Sequence, residues 1–419
     1  MSNVACNMAG AGPMSSATIM AQRAILELED RTDGYSAQNE TPLEPVRAAI
    51  GTLCGAPTDR IALTTGGTDS LLRLLSSMRF GPDDVVLVSP SEFGTTAAAV
   101  AQLRDRCGIT VGMLPSDPTG LLDLDACEQR LRSAPTTLIL ATLVPAHRGV
   151  RQPVEALARL CADADVPLVV DICQGLGHVP VDQQQLAGAT LVGTGRKWLA
   201  GPRGTGFLVL GDHCTGRAGL GVHPRLIGWD PEPLAAFEPL DGPCPGAWFE
   251  RGEYPVAAFH GLGTAAAEAL TACATNQHPL CATNPHPLGK SQPLEGEPTD
   301  SSRGVPPIGA LPETSAWQQA SFAHAARLRA FLEDREWILL DDPRGGPTSI
   351  IGAVPPDGRR PTDIVDELRK RGIACSSMAR GDAPLDPGWR GHAAVVRLSP
   401  SGTLDEGQLS YVEEVIAGL

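Results

Sequence analysis

At 419 residues the chain is long enough for one large α/β core or for two to three domains, and its 42% hydrophobic and 19% charged content is that of an ordinary globular enzyme. A formal net charge of −15 argues against nucleic acid or an anionic membrane as a main partner. No apolar run approaches the ~20 residues that span a bilayer, Met1–Asn7 shows no secretory signal pattern, and eleven scattered cysteines fit a reduced, cytoplasmic chain better than a disulfide framework.

Residues 3–14 read as a Gly-rich opening loop. A helical pattern runs from Ser16 to Arg31, and a second over 43–56 ends at Gly55. Ile61-Ala-Leu-Thr-Thr65 reads as a strand that enters Gly66-Gly67-Thr68-Asp69-Ser70 and then an amphipathic helix from Leu71. Strand, glycine turn, hydroxyl residues and helix together leave free backbone N–H groups at a helix start, which attract phosphate. The same Gly-Gly-Thr could also make a plain turn and cap. Asp84–Ser89 is the next strand and delivers Glu92-Phe93-Gly94. Phe93 suits either the core or stacking on a flat ring. Strands follow at 109–114 and 137–144, the latter ending in Pro145-Ala146-His147-Arg148-Gly149, with helices at 122–132 and 153–164. This strand–helix alternation over 61–210 predicts right-handed βαβ crossovers and a mainly parallel sheet flanked by helices.

Val166-Pro-Leu-Val-Val-Asp171 is an apolar run without alternation, so it reads as a strand buried on both faces. Leu191-Val-Gly-Thr194-Gly-Arg196-Lys197-Trp198 then places one lysine among glycines after another strand. Ligands of open α/β sheets sit at the carboxyl ends of such strands. A carboxylate and a lysine delivered there suit pyridoxal 5'-phosphate, where a lysine carries the aldehyde as a Schiff base and an aspartate pairs the pyridine nitrogen.

Residues 211–250 are rich in Pro and Gly, and a long helix follows over 257–273. Cys273-Ala-Thr-Asn-Gln-His-Pro-Leu280 is then repeated almost unchanged as Cys281-Ala-Thr-Asn-Pro-His-Pro-Leu288. With its polar tail this predicts a disordered, low-complexity insert, and its Cys and His spacing matches no usual zinc pattern, so no metal is expected. Short strands mixed with helices over 305–419 indicate a smaller α+β domain. The expected organisation is an opening loop at 1–16, a large cofactor-binding domain at 17–273, the insert at 274–304 and the small domain at 305–419.

Four stretches carry a family resemblance. They are Thr65-Gly-Gly-Thr68, Asp171-x-x-Gln174-x-x-Gly177-His178, Thr194-Gly-Arg196-Lys197 with Gly201-Pro-x-Gly-x-Gly206, and Arg397-Leu-Ser399. With them the chain resembles the class V, fold-type-I aminotransferase superfamily, which includes the cysteine desulfurases. The resemblance implies pyridoxal 5'-phosphate, with Lys197 as its Schiff-base and proton-shuttling residue and Asp171 at the pyridine nitrogen. Gln174 would bond the ring hydroxyl, Gly67, Thr68, Thr194 and Arg196 would hold the phosphate, and Phe93 would stack on the ring. Arg397 would grip the substrate carboxylate, with Arg380 and His147 as further substrate contacts. Glu253 stands where many relatives carry a Thr that reaches the neighbouring subunit's phosphate, which implies a homodimer acting on a small amino-acid substrate.

Within the superfamily the chain is most similar to the ergothioneine-pathway sulfoxide lyases, on His147-Arg-Gly-Val-x-Gln-Pro153, Arg196-Lys-Trp-x-Ala-Gly-Pro-Arg-Gly204, Gly252-Glu253 and Leu398-Ser-Pro400. That implies α,β-elimination at an S-substituted cysteine, with hercynylcysteine sulfoxide giving pyruvate, ammonia and a sulfenic acid that an external thiol reductant converts to ergothioneine. A desulfurase needs a thiolate on the loop near Gly381, where this chain has no cysteine, and Cys375 continues an apolar run and reads as structural. The other readings are a cysteine desulfurase-like enzyme and another class V aminotransferase or epimerase of secondary metabolism. His178 is expected to hydrogen-bond locally after the Asp171 strand.

Overall fold

Seven strands form the large sheet in a computed structural model that describes residues 4–214, 246–275 and 315–419. Their spatial order is Ile61–Thr64, Gly206–Val209, Thr190–Thr194, Leu168–Asp171, Leu138–Thr142, Val85–Val88 and Thr110–Met113. All neighbours pair parallel except Gly206–Val209, which is antiparallel to both of its neighbours. The reason is chain length. A parallel return needs a crossover of about a dozen residues or more, usually a helix, and the segment 195–205 is a glycine-rich loop, so the chain doubles back. Val-, Leu- and Ile-rich strands such as Leu138–Thr142 are buried along their whole length, as a sheet covered on both faces requires.

The carboxyl ends at Thr64, Val88, Thr142, Asp171 and Thr194 lie on one edge of the sheet, and the segments that leave this edge build the site. Helices Gly67–Ser77, Leu124–Ser133 and Val154–Asp163 cover the faces near where the sequence puts them. Helix Glu44–Cys54 ends at Gly55, whose φ of +65° is the left-handed conformation that glycine adopts cheaply at a helix stop. Two further helices, Gly34–Glu40 and Gly94–Cys107, are absent from the sequence reading. The second runs through Thr95-Thr-Ala-Ala-Ala-Val-Ala101, which offers little polar–apolar contrast for a periodicity to show.

The C-terminal part holds a four-stranded antiparallel sheet in the order Ser376–Ala379, Ala394–Leu398, Ile351–Val354 and Ile338–Leu339. Helices Ala316–Glu333, Pro361–Lys370 and Glu406–Ala417 supply the rest of this unit, whose core includes Leu328, Ile351, Val396 and Leu409. The opening segment is more than a loop. Val4–Ala5 pairs in parallel with Ile373–Ala374, and Asn7 bridges Ser399, so the chain start is tied to the C-terminal unit before helix Ser16–Arg31 begins. Among the described residues no helix is long and apolar enough to cross a membrane. The expected insert at 274–304 and most of the Pro- and Gly-rich 211–250 stretch lie outside the described residues.

Candidate functional site

Asp171 ends its strand with the carboxylate turned back on the following loop, where Oδ1 accepts from the Cys173 backbone N–H at 2.7 Å. Lys197 is held by a backbone knot. Gly195 N–H bonds Thr205 O at 3.0 Å, Gly201 N–H bonds Gly195 O at 2.9 Å, and Ala200 N–H bonds Lys197 O at 2.9 Å. Ala200 takes a left-handed φ of +54°, a strained conformation for a residue with a Cβ. From the other side Gly12 N–H bonds Arg196 O at 2.8 Å, and a Cβ on Gly12 would lie 2.5 Å from Lys197 O. The next residue, Trp198, is 1% exposed, stacks on His178 at 3.8 Å and donates from Nε1 to Gln174 Oε1 at 2.7 Å. The backbone of Lys197 is thus fixed on both sides while its side chain lines a cavity with Asp171. Burial pushes the amine down to about 8, with Arg196 and Arg397 pushing the same way and Asp171 opposing.

The same cavity is lined by Gly67, Thr68, Phe93, Gln174, Thr194 and Arg196, so the structure brings together all the cofactor contacts read from the sequence except Glu253. Gly67 and Thr68 open helix Gly67–Ser77, whose first-turn N–H groups have no helical partner. The absence of a side chain on Gly67 is required: a Cβ there would lie 2.2 Å from Cys173 Sγ. The Thr68 hydroxyl sits 3.2 Å from that of Thr95, which also lines the cavity. Phe93 caps helix Gly94–Cys107 and packs against the cluster of Leu340, Met378 and Trp389 in the C-terminal unit. Gln174 donates from Nε2 to Ala9 O at 2.9 Å. Its second amide hydrogen remains for a ligand. His178 acts locally, as expected: Nε2 accepts from Ser349 N–H at 2.8 Å, so Nδ1 carries the proton and donates to Gln174 O at 2.8 Å.

Four residues stand apart from the cavity wall. Arg397 is 5% exposed and is steered from two sides, Nε donating to Ser376 Oγ at 2.9 Å and Nη1 to Ala146 O at 2.9 Å, while Ala146 itself lines the cavity. Burial pulls its guanidinium down to about 10, so it keeps its charge at neutral pH. Glu253 is exposed and accepts from Tyr35 Oη at 2.7 Å. Arg380 is exposed in the turn Arg380–Asp382, which lies over Gly94. His147 corrects the sequence reading. It is 0% exposed, stacks on Trp389 at 4.6 Å and points Nε2 to Asp386 Oδ2 at 3.0 Å, so it does not face the cavity. Residues 146–148 form a bend beyond the strand end at Thr142, and in that bend Ala146 lines the cavity while His147 turns to Asp386.

The lining set fits a flat anionic cofactor with an aldehyde: a helix start with hydroxyls, the Arg196 guanidinium, the Asp171 carboxylate, an aromatic side chain and a lysine whose pKa is pushed down to about 8. It brings together no metal-binding group among the described residues. Several site residues escaped the sequence reading. Cys173 lines the cavity beside Asp171, and burial holds its thiol well above the usual range. Glu92 is 1% exposed and shares a small void with Asp171. Its carboxyl accepts from Ser89 Oγ at 3.0 Å. The residue adjoining Phe93 in sequence was the only signal for Glu92, and for Cys173 it was the two-residue step from Asp171.

The family model described as aminotransferase class-V matches residues 30–271. A protein named "Probable hercynylcysteine sulfoxide lyase" from Mycobacterium tuberculosis (strain CDC 1551 / Oshkosh) is 37% identical over 193 residues, 45% of this chain and 46% of that one. The cysteine desulfurase IscS of Dictyoglomus turgidum is 26% identical over 203 residues, 47% of this chain and 49% of its own. The matched stretches therefore span about half the length of these relatives. Among solved structures, the apo cysteine desulfurase from Thermococcus onnurineus NA1 superposes with a TM-score of 0.73 at 18% identity, covering 100% of this chain and 95% of that one. The cystine C–S lyase C-DES in complex with cysteine persulfide gives 0.75 at 17%, covering 99% and 97%. At those identities the likeness is one of fold.

Proposed function

The chain belongs to the class-V aminotransferase family, and from that premise we propose that it is a pyridoxal 5'-phosphate-dependent carbon–sulfur lyase. The reaction is α,β-elimination on an S-substituted cysteine sulfoxide, with hercynylcysteine sulfoxide as the first candidate. The observation that carries this reading is the single cavity that joins Lys197, Asp171, the Gly67–Thr68 helix start, Arg196, Phe93 and Gln174.

When bound, the cofactor supplies a sink for the electron pair left at the substrate α-carbon. The chain's own residues do the rest. Gly67, Thr68, Thr194 and Arg196 would hold the phosphate, by helix-start N–H groups, hydroxyls and a guanidinium. Asp171 would keep the pyridine nitrogen protonated, Phe93 would pack on the ring, and the spare Gln174 N–H would bond the ring hydroxyl. Lys197 Nζ, with a pKa pushed down to about 8, takes the α-proton and returns one. Arg397, already aimed by Ser376 and Ala146, receives the substrate carboxylate. The sulfur leaves at the sulfenic level, and water converts the remaining three-carbon fragment to pyruvate and ammonia.

The desulfurase alternative rests on the relatives of that name. Turn Arg380–Asp382 holds no cysteine, and Cys375 is 0% exposed with its thiol pushed up to about 12, which suits a structural residue. Offering hercynylcysteine sulfoxide and S-alkylcysteine sulfoxides and measuring pyruvate separates the two. Pyruvate that survives in Cys375→Ala supports the lyase, and persulfide on a protein cysteine without pyruvate overturns it.

The working assembly in this reading is a homodimer. Helix Ser16–Arg31 leaves Ile19, Met20 and Leu26 exposed, Tyr35 and Leu72 are exposed nearby in sequence or on the cavity wall, and Arg251 and Glu253 stand in solvent. An isologous contact would cover such a surface and bring Glu253 to the partner's phosphate site. A fully active monomer in sedimentation would refute it. Free cysteines throughout the described residues support a cytoplasmic setting. We keep the division into 1–16, 17–273, 274–304 and 305–419 as the proposed domain plan, with Arg380 as a distal substrate contact and His147 acting only through the backbone beside it.

A further inference from the structure

Asp386 lies in the C-terminal unit, but its carboxylate is spent on the large one. Arg148 grips it twice, Nε to Oδ2 and Nη2 to Oδ1, both at 3.0 Å. His147 Nε2 lies 3.0 Å from Oδ2, Ser91 Oγ donates to Oδ2 at 3.1 Å, and Gly388 N–H donates to Oδ1 at 2.6 Å. The side chains of Arg148, His147 and Asp386 are all 0% exposed. Glycines seal the pair: a Cβ on Gly388 would lie 2.3 Å from Arg148 Cζ, and one on Gly120, at φ +82°, would lie 2.6 Å from Asp386 Oδ1.

Next in the chain to this lock is the carbonyl of Ala146, which accepts from Arg397 Nη1. The His147 carbonyl presses on Gly352, where a Cβ would lie 2.3 Å away, and Gly352 is the residue opposite Arg397 in the C-terminal sheet. One short segment, 146–148, is therefore clamped by Asp386 at one end and by the Arg397 strand pair at the other. Buried ion pairs often contribute little to net stability, whereas removing one partner is costly. Their worth here is geometric, since a guanidinium that must meet a carboxylate in a two-point fork tolerates little displacement.

We propose that Asp386 is a positioning residue for Arg397, acting through Arg148, His147 and the Ala146 carbonyl to set where the substrate carboxylate is received. The inference rests on the reading of Arg397 given above. The test is a double-substitution cycle in the cofactor-loaded protein, with an S-alkylcysteine sulfoxide as the probe and KM, kcat and cofactor absorbance as readouts. Asp386→Asn alone raises KM about tenfold or more, with cofactor absorbance unmoved, in line with the cost of a small misplacement. In an Arg397→Ala background the same change moves KM less than twofold, because both act on one contact. Equal factors in both backgrounds, or an unchanged KM with only a lowered melting temperature, would overturn the inference. If Asp386→Asn does not fold, Gly388→Ala pushes on the Arg148 guanidinium with every charge kept, and the same cycle is read. If Arg397→Ala alone leaves KM unchanged, the assignment of Arg397 itself has failed and the inference falls with it, a result distinct from the failures above.

Discussion

Substituting Glu92 by Gln isolates a charge that the fold suppresses. Glu92 is 1% exposed, and the groups around its carboxyl are the hydroxyls of Ser89, Thr142 and Thr96 together with the Asp171 carboxylate. Burial is the main cause, and Asp171 the second, that pushes the acid from its ordinary 4.5 up to about 8. The unfolded chain loses this proton near 4.5, while the folded one keeps it to about 8. Below 4.5 the group is neutral in both states and costs nothing. Between the two values the folded state binds the extra proton, so stability falls as pH rises. The slope is about 1.4 kcal/mol per pH unit, which over this window amounts to about 5 kcal/mol as an upper bound. Above about 8 the cost is constant. Gln has the same shape and no charge to suppress, so Glu92→Gln removes this slope. At an unfolding entropy of about 2.1 cal/mol/K per residue, 1 kcal/mol corresponds to roughly 1 °C in a chain of this size. The melting temperature of the variant minus that of the parent should therefore grow by several degrees from pH 5 to pH 8 and then level. Parallel curves across that range would show that Glu92 is ionised in the folded protein and that the account of its surroundings is wrong.

Lys197 gives a second pH signature. The rate at which pyridoxal 5'-phosphate adds to the cofactor-free protein should rise through about pH 8 and level above it, because only the neutral amine attacks, and Lys197→Ala should show no such absorbance change in stopped flow. Gly67→Ala places a Cβ on Cys173 Sγ, so cofactor affinity should drop about tenfold or more, and adding Cys173→Ala should restore most of it by clearing the overlap. Loss of affinity that the second substitution leaves untouched would assign the defect to the helix start alone. Deleting residues 274–304 should leave cofactor binding and pyruvate formation within about twofold, as the repeat's composition suggests, and a stoichiometric metal in the full chain by elemental analysis would revive a role for its Cys and His residues.

Local order was legible because it is local. Asp171 closes an apolar run, Lys197 sits in a glycine-rich turn, and Gly67–Thr68 start a helix, so each is positioned by a dozen neighbouring residues. Periodicity failed where contrast was low, as in helix Gly94–Cys107, and where an element was two residues long, as at Val4–Ala5. His147 was misassigned for a different reason. The strand end was right, but which of two consecutive side chains faces the cavity depends on where Trp389 and Asp386 stand, 242 and 239 residues further along the numbering, and no pattern around His147 carries that. The Arg148–Asp386 pair, separated by 238 residues, is invisible for the same reason.

The placement of these two kinds of residue suggests how the site divides its work. The lysine, the carboxylate and the helix start all come from one edge of the large sheet, and in the proposed reading they serve the carbanion chemistry that many reactions share. What selects the reaction must come from groups that meet the substrate rather than the cofactor. In the proposed reading those are Arg397, on the C-terminal sheet, and the turn Arg380–Asp382, which crosses Gly94. Neither brings a thiol. The cysteine that does line the cavity, Cys173, is pressed against Gly67 beside Asp171, and burial keeps its sulfur protonated. A buried, protonated thiol beside Asp171 suits a structural residue better than a sulfur acceptor, which agrees with the proposed reading in which the leaving group departs without a protein thiol.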